Sequence, residues 1–171
     1  ENATHCWLTL LILGYDNDLI RSRIKDLHPV AMRLELKEGV NGCSLINDSY
    51  SSDIASLEIA LEFLCQQQQN KKKTIILSDI LQTGRPEKDL YLEVAEILAN
   101  KGVDRFIGIG PFLNKHSGNF KMENHFYLST DDFLNNFPFS NFYRENILLK
   151  GARVFEFEKI SEALQQKTHS T

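Results

Sequence analysis

Cysteine is scarce in this sequence: the three present, Cys6, Cys43 and Cys65, are odd in number and show no CxxC spacing. That argues against both a disulfide framework and a zinc knuckle, and it fits a reducing cytoplasm. Basic charge is also short. Lys and Arg number 19 against 23 Asp and Glu, a net charge of -4, whereas a nucleic-acid surface needs clustered cations. The one basic run, Lys71 to Lys73, follows QQQQN and precedes an apolar segment, so it reads as a solvated loop. No apolar run spans a bilayer: CWLTLLILG is too short, and no basic segment or small-residue cleavage site makes it a signal peptide.

Catalytic signatures are missing too. There is no GxxxxGK[ST] loop and no GxGxxG; GIGP is short and ends in a proline that removes a phosphate-binding amide. The histidines (His5, His28, His116, His125 and His169) are scattered without HExxH or paired spacing, so no metal site is expected. No GxSxG elbow occurs, and Ser78 before Asp79 reads as the end of a buried strand. Unaided bond-making is therefore not expected of this chain.

What is present is a globular composition. The chain has 171 residues, 42% hydrophobic and 25% charged, enough for one domain with its own core. Residues 3 to 14 and 17 to 27 read as two short helices, joined at Gly14 and stopped by Pro29. Such a pair cannot bury a core alone, so Trp7, Leu8, Leu10, Leu11 and Ile12 call for a partner surface. Glu1 follows no start methionine, and a piece of a longer polypeptide is the expectation.

From Met32 onward strands and helices alternate. MRLELKEG reads as a half-exposed strand, Gly39 to Gly42 as a turn and CSLIN as a second strand. Residues 54 to 68 place Ile54, Leu57, Ala60, Leu61 and Leu64 on one helical face, capped by Ser52 or Asp53. KTIILSD suits a strand buried on both faces. Pro86 opens a helix with Leu90, Val94, Ile97 and Leu98 along its stripe, and Gly102 closes it. DRFIGIG, HFYLS and ENILLKG read as further strands, with short helices from about Thr130 and Glu158. The pattern predicts a Rossmann-like α/β fold: an open, mostly parallel sheet with helices on both faces, preceded by the two short helices.

In such sheets ligands bind beyond the carboxyl ends of the strands. The loops there are NDSYSSD (47 to 53), SDILQTGRPE (78 to 87), IGPFLNKHSG (109 to 118) and KGAR (150 to 153). Caps and turns alone also use Ser, Asp, Asn and Gly.

Five segments in order and spacing, PVAMRLE, INDSYSSD…SLEIALEFL, TIILSDILQTG, the 103 to 110 strand and ILLKGAR, resemble the C-terminal domain of the Mur ligase family. The resemblance runs over essentially the whole chain and is strongest to the branch that adds D-alanyl-D-alanine to UDP-N-acetylmuramoyl-tripeptide in peptidoglycan precursor synthesis. Residues 1–31 then resemble a two-helix tail of the family's central ATPase domain, and 32–171 the substrate-closing domain. The resemblance implies a cytoplasmic, ADP-forming ligase that uses ATP and Mg2+ to activate a carboxylate as an acyl phosphate. Its phosphate loop and metal ligands belong to the central domain and its uridine-nucleotide site to an N-terminal domain, neither of them in this chain, which alone is expected to be inactive, with no catalytic or metal residue of its own.

By the same resemblance Asp48, Tyr50 and Ser51 fall in a nucleotide-contacting loop. After the tyrosine, however, the family has Asn, Ala, Asn, Pro, and this chain has Ser51, Ser52, Asp53 and Ile54. Lys150, Gly151 and Arg153 match a KGSR loop, with Ala152 for its serine, where a cation pairs with the dipeptide carboxylate. Asp79 and Leu81 lie where the family has LGDM, and Asp79 either receives the dipeptide's ammonium or caps the loop. The tail ARVFEFEKISEALQQKTHST resembles a junction with an alanine racemase; pyridoxal phosphate belongs only to such a following domain. Neither nucleic acid nor membrane is an expected partner. The alternatives are a non-catalytic α/β binding module and the corresponding domain of another Mur or folylpolyglutamate synthase-like ligase.

Overall fold

A computed structural model describes residues 2–25, 33–81 and 84–165. By its internal contacts the chain divides into two units, Glu1–Val30 and Ala31–Thr171. The expected helix stop at Pro29, the start of the first strand at Met32, residues 82–83 of the third-strand loop and the tail from residue 166, with its racemase junction, lie outside the described residues.

The first unit contains α1 (Asn2–Ile12) and α2 (Asn17–Lys25). Gly14 takes φ 84° between them, a left-handed turn that suits glycine. Trp7 Nε1 donates to Asn17 Oδ1 at 3.0 Å, and Thr4, Trp7, Leu8, Leu11 and Ile24 line an apolar cleft within the pair.

The second unit runs β1 (Glu35–Glu38), β2 (Ser44–Asp48), α3 (Ile54–Gln66), β3 (Lys72–Ser78), α4 (Glu87–Asn100), β4 (Arg105–Ile109), α5 (Pro111–Lys115), β5 (Glu123–Tyr127), α6 (Thr130–Asn136), β6 (Glu145–Lys150) and α7 (Glu158–Leu164). The six strands form one sheet in the order β1-β2-β6-β3-β4-β5. Only β1 is antiparallel to its neighbour; the other pairings are parallel.

Helices cover both faces, because neighbouring strand residues point to opposite sides and both sides are apolar. Under one face Leu57, Leu61 and Leu64 of α3 and Leu90, Val94 and Leu98 of α4 meet Ile46, Ile75, Leu77, Phe106 and Leu148. Under the other, Phe133 of α6 and Ile160 and Leu164 of α7, with Phe137 and Phe142, meet Leu45, Ile76, Ile107, Ile147 and Leu149. The Rossmann-like expectation holds.

Local chemistry sets the helix starts. Of the two cap candidates for α3 the structure uses Asp53: its Oδ1 accepts from Ser56 N at 2.8 Å while Asp53 N donates to Ser56 Oγ at 3.4 Å, a reciprocal box that satisfies two otherwise orphaned amides. Asp53→Ala should cost about 1 kcal/mol in a urea melt. Burial raises the Asp53 pKa, but the Ser56 amide and hydroxyl outweigh it and hold the carboxyl below its ordinary 3.8. Because the folded pKa is depressed, the stabilisation is present above that ordinary value and is lost as pH falls through the folded one. The gap between variant and wild type should therefore narrow on acidification.

Two differences from the sequence reading stand out. Residues 109 to 118, read as a loop, contain α5, whose first helical residue is Pro111; a proline there loses no helical bond. The strand read as HFYLS ends at Tyr127 instead, because Ser129 is already the cap of α6, its Oγ accepting from Asp132 N at 3.1 Å.

Candidate functional site

The parallel strands bring their carboxyl ends to one rim, and register decides which loops touch. Asp48 pairs with Lys150 across β2 and β6, Leu77 with Lys150 across β3 and β6, and Ser78 with Ile109 across β3 and β4. NDSYSSD and KGAR are therefore neighbours although about a hundred residues separate them (Asp48 and Lys150 are 102 apart).

Lys150 was expected as a strand-end cation open to a ligand carboxylate or to water. It is instead wholly buried: Nζ donates to Asp48 Oδ2 at 2.7 Å and to the Ser51 carbonyl at 2.7 Å, and 0% of its side chain is exposed. An ammonium inside a protein must be paired, since leaving it alone costs several kcal/mol, on the order of the Born penalty after relaxation, and here the NDSYSSD loop provides the partners. Asp48 Oδ1 also accepts from Leu34 N at 3.3 Å. The base of the loop is fixed below: Ser49 Oγ donates to Asn47 Oδ1 at 2.6 Å, and Asn47 Nδ2 reaches Ser161 Oγ on α7 at 3.3 Å.

Tyr50 and Ser51 lie on the outer side of this loop. Tyr50 is 43% exposed, and the guanidinium carbon of Arg33 sits 4.4 Å above its ring centre, a cation–π arrangement that covers one ring face. Arg33 carried no sequence signal. It joins Leu34, Asp48, Ser51, Ile59 and Lys150 around a shallow cleft. Asp48, Tyr50, Ser51 and Lys150 are thus gathered into one site.

Asp79 is directed inward. Its carboxylate accepts from Leu113 N at 2.8 Å, from Phe112 N at 3.0 Å and from the Tyr91 hydroxyl at 3.4 Å, and it is fully buried. Of the two readings left open for it, this geometry is that of a cap, holding α5 to the end of β3. Burial pushes its pKa up, against the pull of the Leu113 and Phe112 amides, and burial together with the Asp79 charge pushes the Tyr91 hydroxyl up as well. Leu81 lies apart, lining a cleft with Ile80, Gly84, Glu87, Leu90 and Phe112.

The KGAR loop leaves one cation outside. Gly151 packs on the Phe157 ring so closely that a Cβ would lie 2.7 Å from it, and Ala152 N donates to Ser78 Oγ at 2.8 Å. Ser78 is therefore a support for this loop, a role the sequence signalled only by its place at the strand end. Arg153 is exposed and has no ion-pair partner among the described residues. Among the described residues no group of three His, Cys, Asp or Glu side chains is arranged to hold a metal ion, and no helix is long and apolar enough to cross a membrane. The rim offers hydroxyls, a carboxylate, an aromatic ring and two exposed guanidinium groups, Arg33 and Arg153: groups that orient a ligand.

No family model matches the chain. It is 29% identical over 87 residues, 51% of its length, to the UDP-N-acetylmuramoyl-tripeptide–D-alanyl-D-alanine ligase of Bacillus subtilis, of which this is 19%. To the ligase of the same name from Buchnera aphidicola it is 22% identical, over 95% of this chain and 39% of that protein. Among solved structures, MurF from Acinetobacter baumannii superposes with TM-score 0.76 at 21% identity, covering 95% of this chain and 36% of the other. MurF from Thermotoga maritima, solved with ADP, gives TM-score 0.59 at 19% identity over 80% of this chain. The chain spans about two fifths or less of the proteins it matches. Its resemblance to the C-terminal domain of Mur ligases holds in fold as in sequence.

Proposed function

We propose that this chain, whose fold is that of the Mur ligase C-terminal domain, closes over the active site of an ATP-dependent ligase joining D-alanyl-D-alanine to UDP-N-acetylmuramoyl-tripeptide, with ADP and phosphate released. The observation that carries this reading is the meeting of NDSYSSD and KGAR on one rim of that fold, with Asp48 and Lys150 in register and Arg153 left exposed. The central and N-terminal domains required as partners hold the uridine nucleotide, ATP phosphates and Mg2+ in the cytoplasmic parent.

In this reading Asp48 and Tyr50 face the nucleotide, the carboxylate accepting from ribose hydroxyls and the ring lying against the base side; Ser51 contributes its hydroxyl where the family has an amide. Arg153 pairs with the carboxylate of the incoming dipeptide in the forked geometry a guanidinium favours. Leu81 and Gly151 shape the surface that the dipeptide meets. The domain's contribution is orientation and exclusion of water, effects that supply several kcal/mol, about 7 or more in well-oriented systems, without any general base.

The test uses the full-length parent, measuring phosphate release with UDP-muramoyl-tripeptide, ATP and Mg2+, with and without D-alanyl-D-alanine. Arg153→Ala should raise the dipeptide KM by about 10- to 100-fold, the range of a lost charge-assisted pair, with the ATP KM little changed. Absence of dipeptide-dependent release from a folded parent would reduce the domain to a non-catalytic binding module. The chain alone should show no ATP hydrolysis.

A further inference from the structure

The two loops that the proposed function assigns to different ligands are joined by a single buried cation. We infer that Lys150 is a positioning residue for the nucleotide-side loop: it holds 48 to 52 in one shape and so sets nucleotide affinity, without itself touching the dipeptide. The nucleotide part of this inference rests on the ligase reading; the loop-holding part does not.

One ammonium reaches both the carboxylate of Asp48 and the main chain of Ser51. Lys150 ends β6, between β2 and β3, so its Cα is fixed by ladders on both sides. From that anchor Nζ donates to Asp48 Oδ2 and to the Ser51 carbonyl, both at 2.7 Å. The first contact orients the carboxylate; the second holds the main chain one residue beyond Tyr50. Asp48 is thereby aimed from one side by Lys150 and from the other by Leu34 N at 3.3 Å. Among the described residues Nζ donates to no other acceptor, and the side chain has no exposed surface.

The loop has few other restraints along this stretch. Ser51 and Tyr50 are exposed, and the Ser52 hydroxyl, though buried, has no partner among the described residues. The remaining fixed points are its ends, Asn47 with Ser49 below and the Asp53 cap above. Among the described residues, the span between them without the ammonium keeps only the cation–π contact of Tyr50 with Arg33, itself an exposed interaction of about 0.5–1 kcal/mol.

Two readouts test this separately. In the 171-residue chain, backbone order parameters from 15N relaxation are measured for residues 49–52 and for the β6 ladder in wild type, Lys150→Met, Lys150→Arg and Arg153→Ala. Lys150→Met should lower the order parameters at 49–52 from about 0.85 to below about 0.6 and leave Ile147 to Leu149 rigid. Lys150→Arg, which keeps the charge, should recover most of the order, and Arg153→Ala should change nothing there. If Lys150→Met does not fold, Asp48→Asn loosens the same contact and replaces it. Unchanged order parameters at 49–52, or a drop shared equally by the β6 ladder, overturn the inference. In the parent enzyme Lys150→Met should raise the ATP KM about tenfold or more with the dipeptide KM within about twofold, the reverse of Arg153→Ala. A dipeptide KM that rises instead overturns it too. A parent with no dipeptide-dependent release refutes the ligase reading and, with it, the nucleotide part of the inference, and leaves the relaxation result to decide the loop-holding part.

Discussion

Arg105→Met is expected to lower the unfolding free energy of the chain by about 3–5 kcal/mol, the cost of leaving a buried charge without its partner. Arg105 begins β4 with 7% of its side chain exposed, and Glu145 begins β6 with 1%. The guanidinium donates to Glu145 Oε1 at 3.2 Å, to the Asn141 carbonyl at 3.2 Å and to Glu123 Oε1 at 2.6 Å. Glu145 also accepts from Tyr143 N at 3.2 Å and from the Thr74 hydroxyl, so removing Arg105 strands a carboxylate with neutral donors only. Urea denaturation measures the loss. The double variant Arg105→Met/Glu145→Gln should recover much of it, since a buried pair replaced on both sides is far less costly than one broken on one side. Lys72→Met, which breaks only the more exposed contact to Glu123, should stay within about 1 kcal/mol. A loss below about 1 kcal/mol for Arg105→Met would show that water reaches Glu145.

This cluster also predicts an acid dependence. Burial raises the Glu123 carboxyl, but Arg105 and Lys72 outweigh it and hold the pKa below its ordinary 4.5. Its stabilisation is therefore present above that value and lost as pH falls through the folded one. Arg105→Met should flatten this part of the stability profile. The cluster sits at the amino ends of the strands, opposite the rim, so its loss should change stability with little change in ligand affinity.

Gly110→Ala is the second large effect, about 2–6 kcal/mol. Gly110 has φ 135°, a conformation L side chains rarely adopt, and strain there costs about 1–3 kcal/mol. A Cβ would also lie 2.3 Å from Asp79 Cγ, a clash that adds about 1–3 kcal/mol of overpacking. Relief requires the carboxylate to move away from the Phe112 and Leu113 amides it accepts from. Gly118→Ala is the control, with nothing within 4 Å of its added methyl, and should be close to neutral. A urea midpoint for Gly110→Ala equal to wild type would mean that the Asp79 carboxylate does not hold α5.

Much of the architecture was written in local pattern. The apolar run of β3, the Asp53 cap, Pro86 before α4 and the alternation of strand and helix follow from short-range chemistry, and so does the common rim. What was hidden is long-range pairing. Lys150 looks like any strand-end lysine until β6 is placed between β2 and β3, when its neighbour becomes Asp48. Asp79 likewise looks available until α5, concealed behind an unremarkable GPFLNK, brings two amides to it. Arg105 and Glu145 drew no separate reading from the sequence for the same reason: 40 residues apart, they meet only when β4 and β6 are placed in the sheet.

The position of β6 has a consequence for how the domain is made. β2 and β3 have no hydrogen bonds to each other; both bond to β6, the last of the six described strands. During synthesis the β3-β4-β5 segment and the β1-β2 hairpin emerge as two separate half-sheets, each with a raw edge that waits for residues 145 to 150. Central strands that arrive last close long loops and slow folding, and open edges invite pairing with other chains. A nascent chain halted before Glu145 should therefore be trapped as an aggregation-prone intermediate, and the addition of Glu145–Lys150 should be the step that joins the two half-sheets, leaving α7 to cover the face that Ile160 and Leu164 bury.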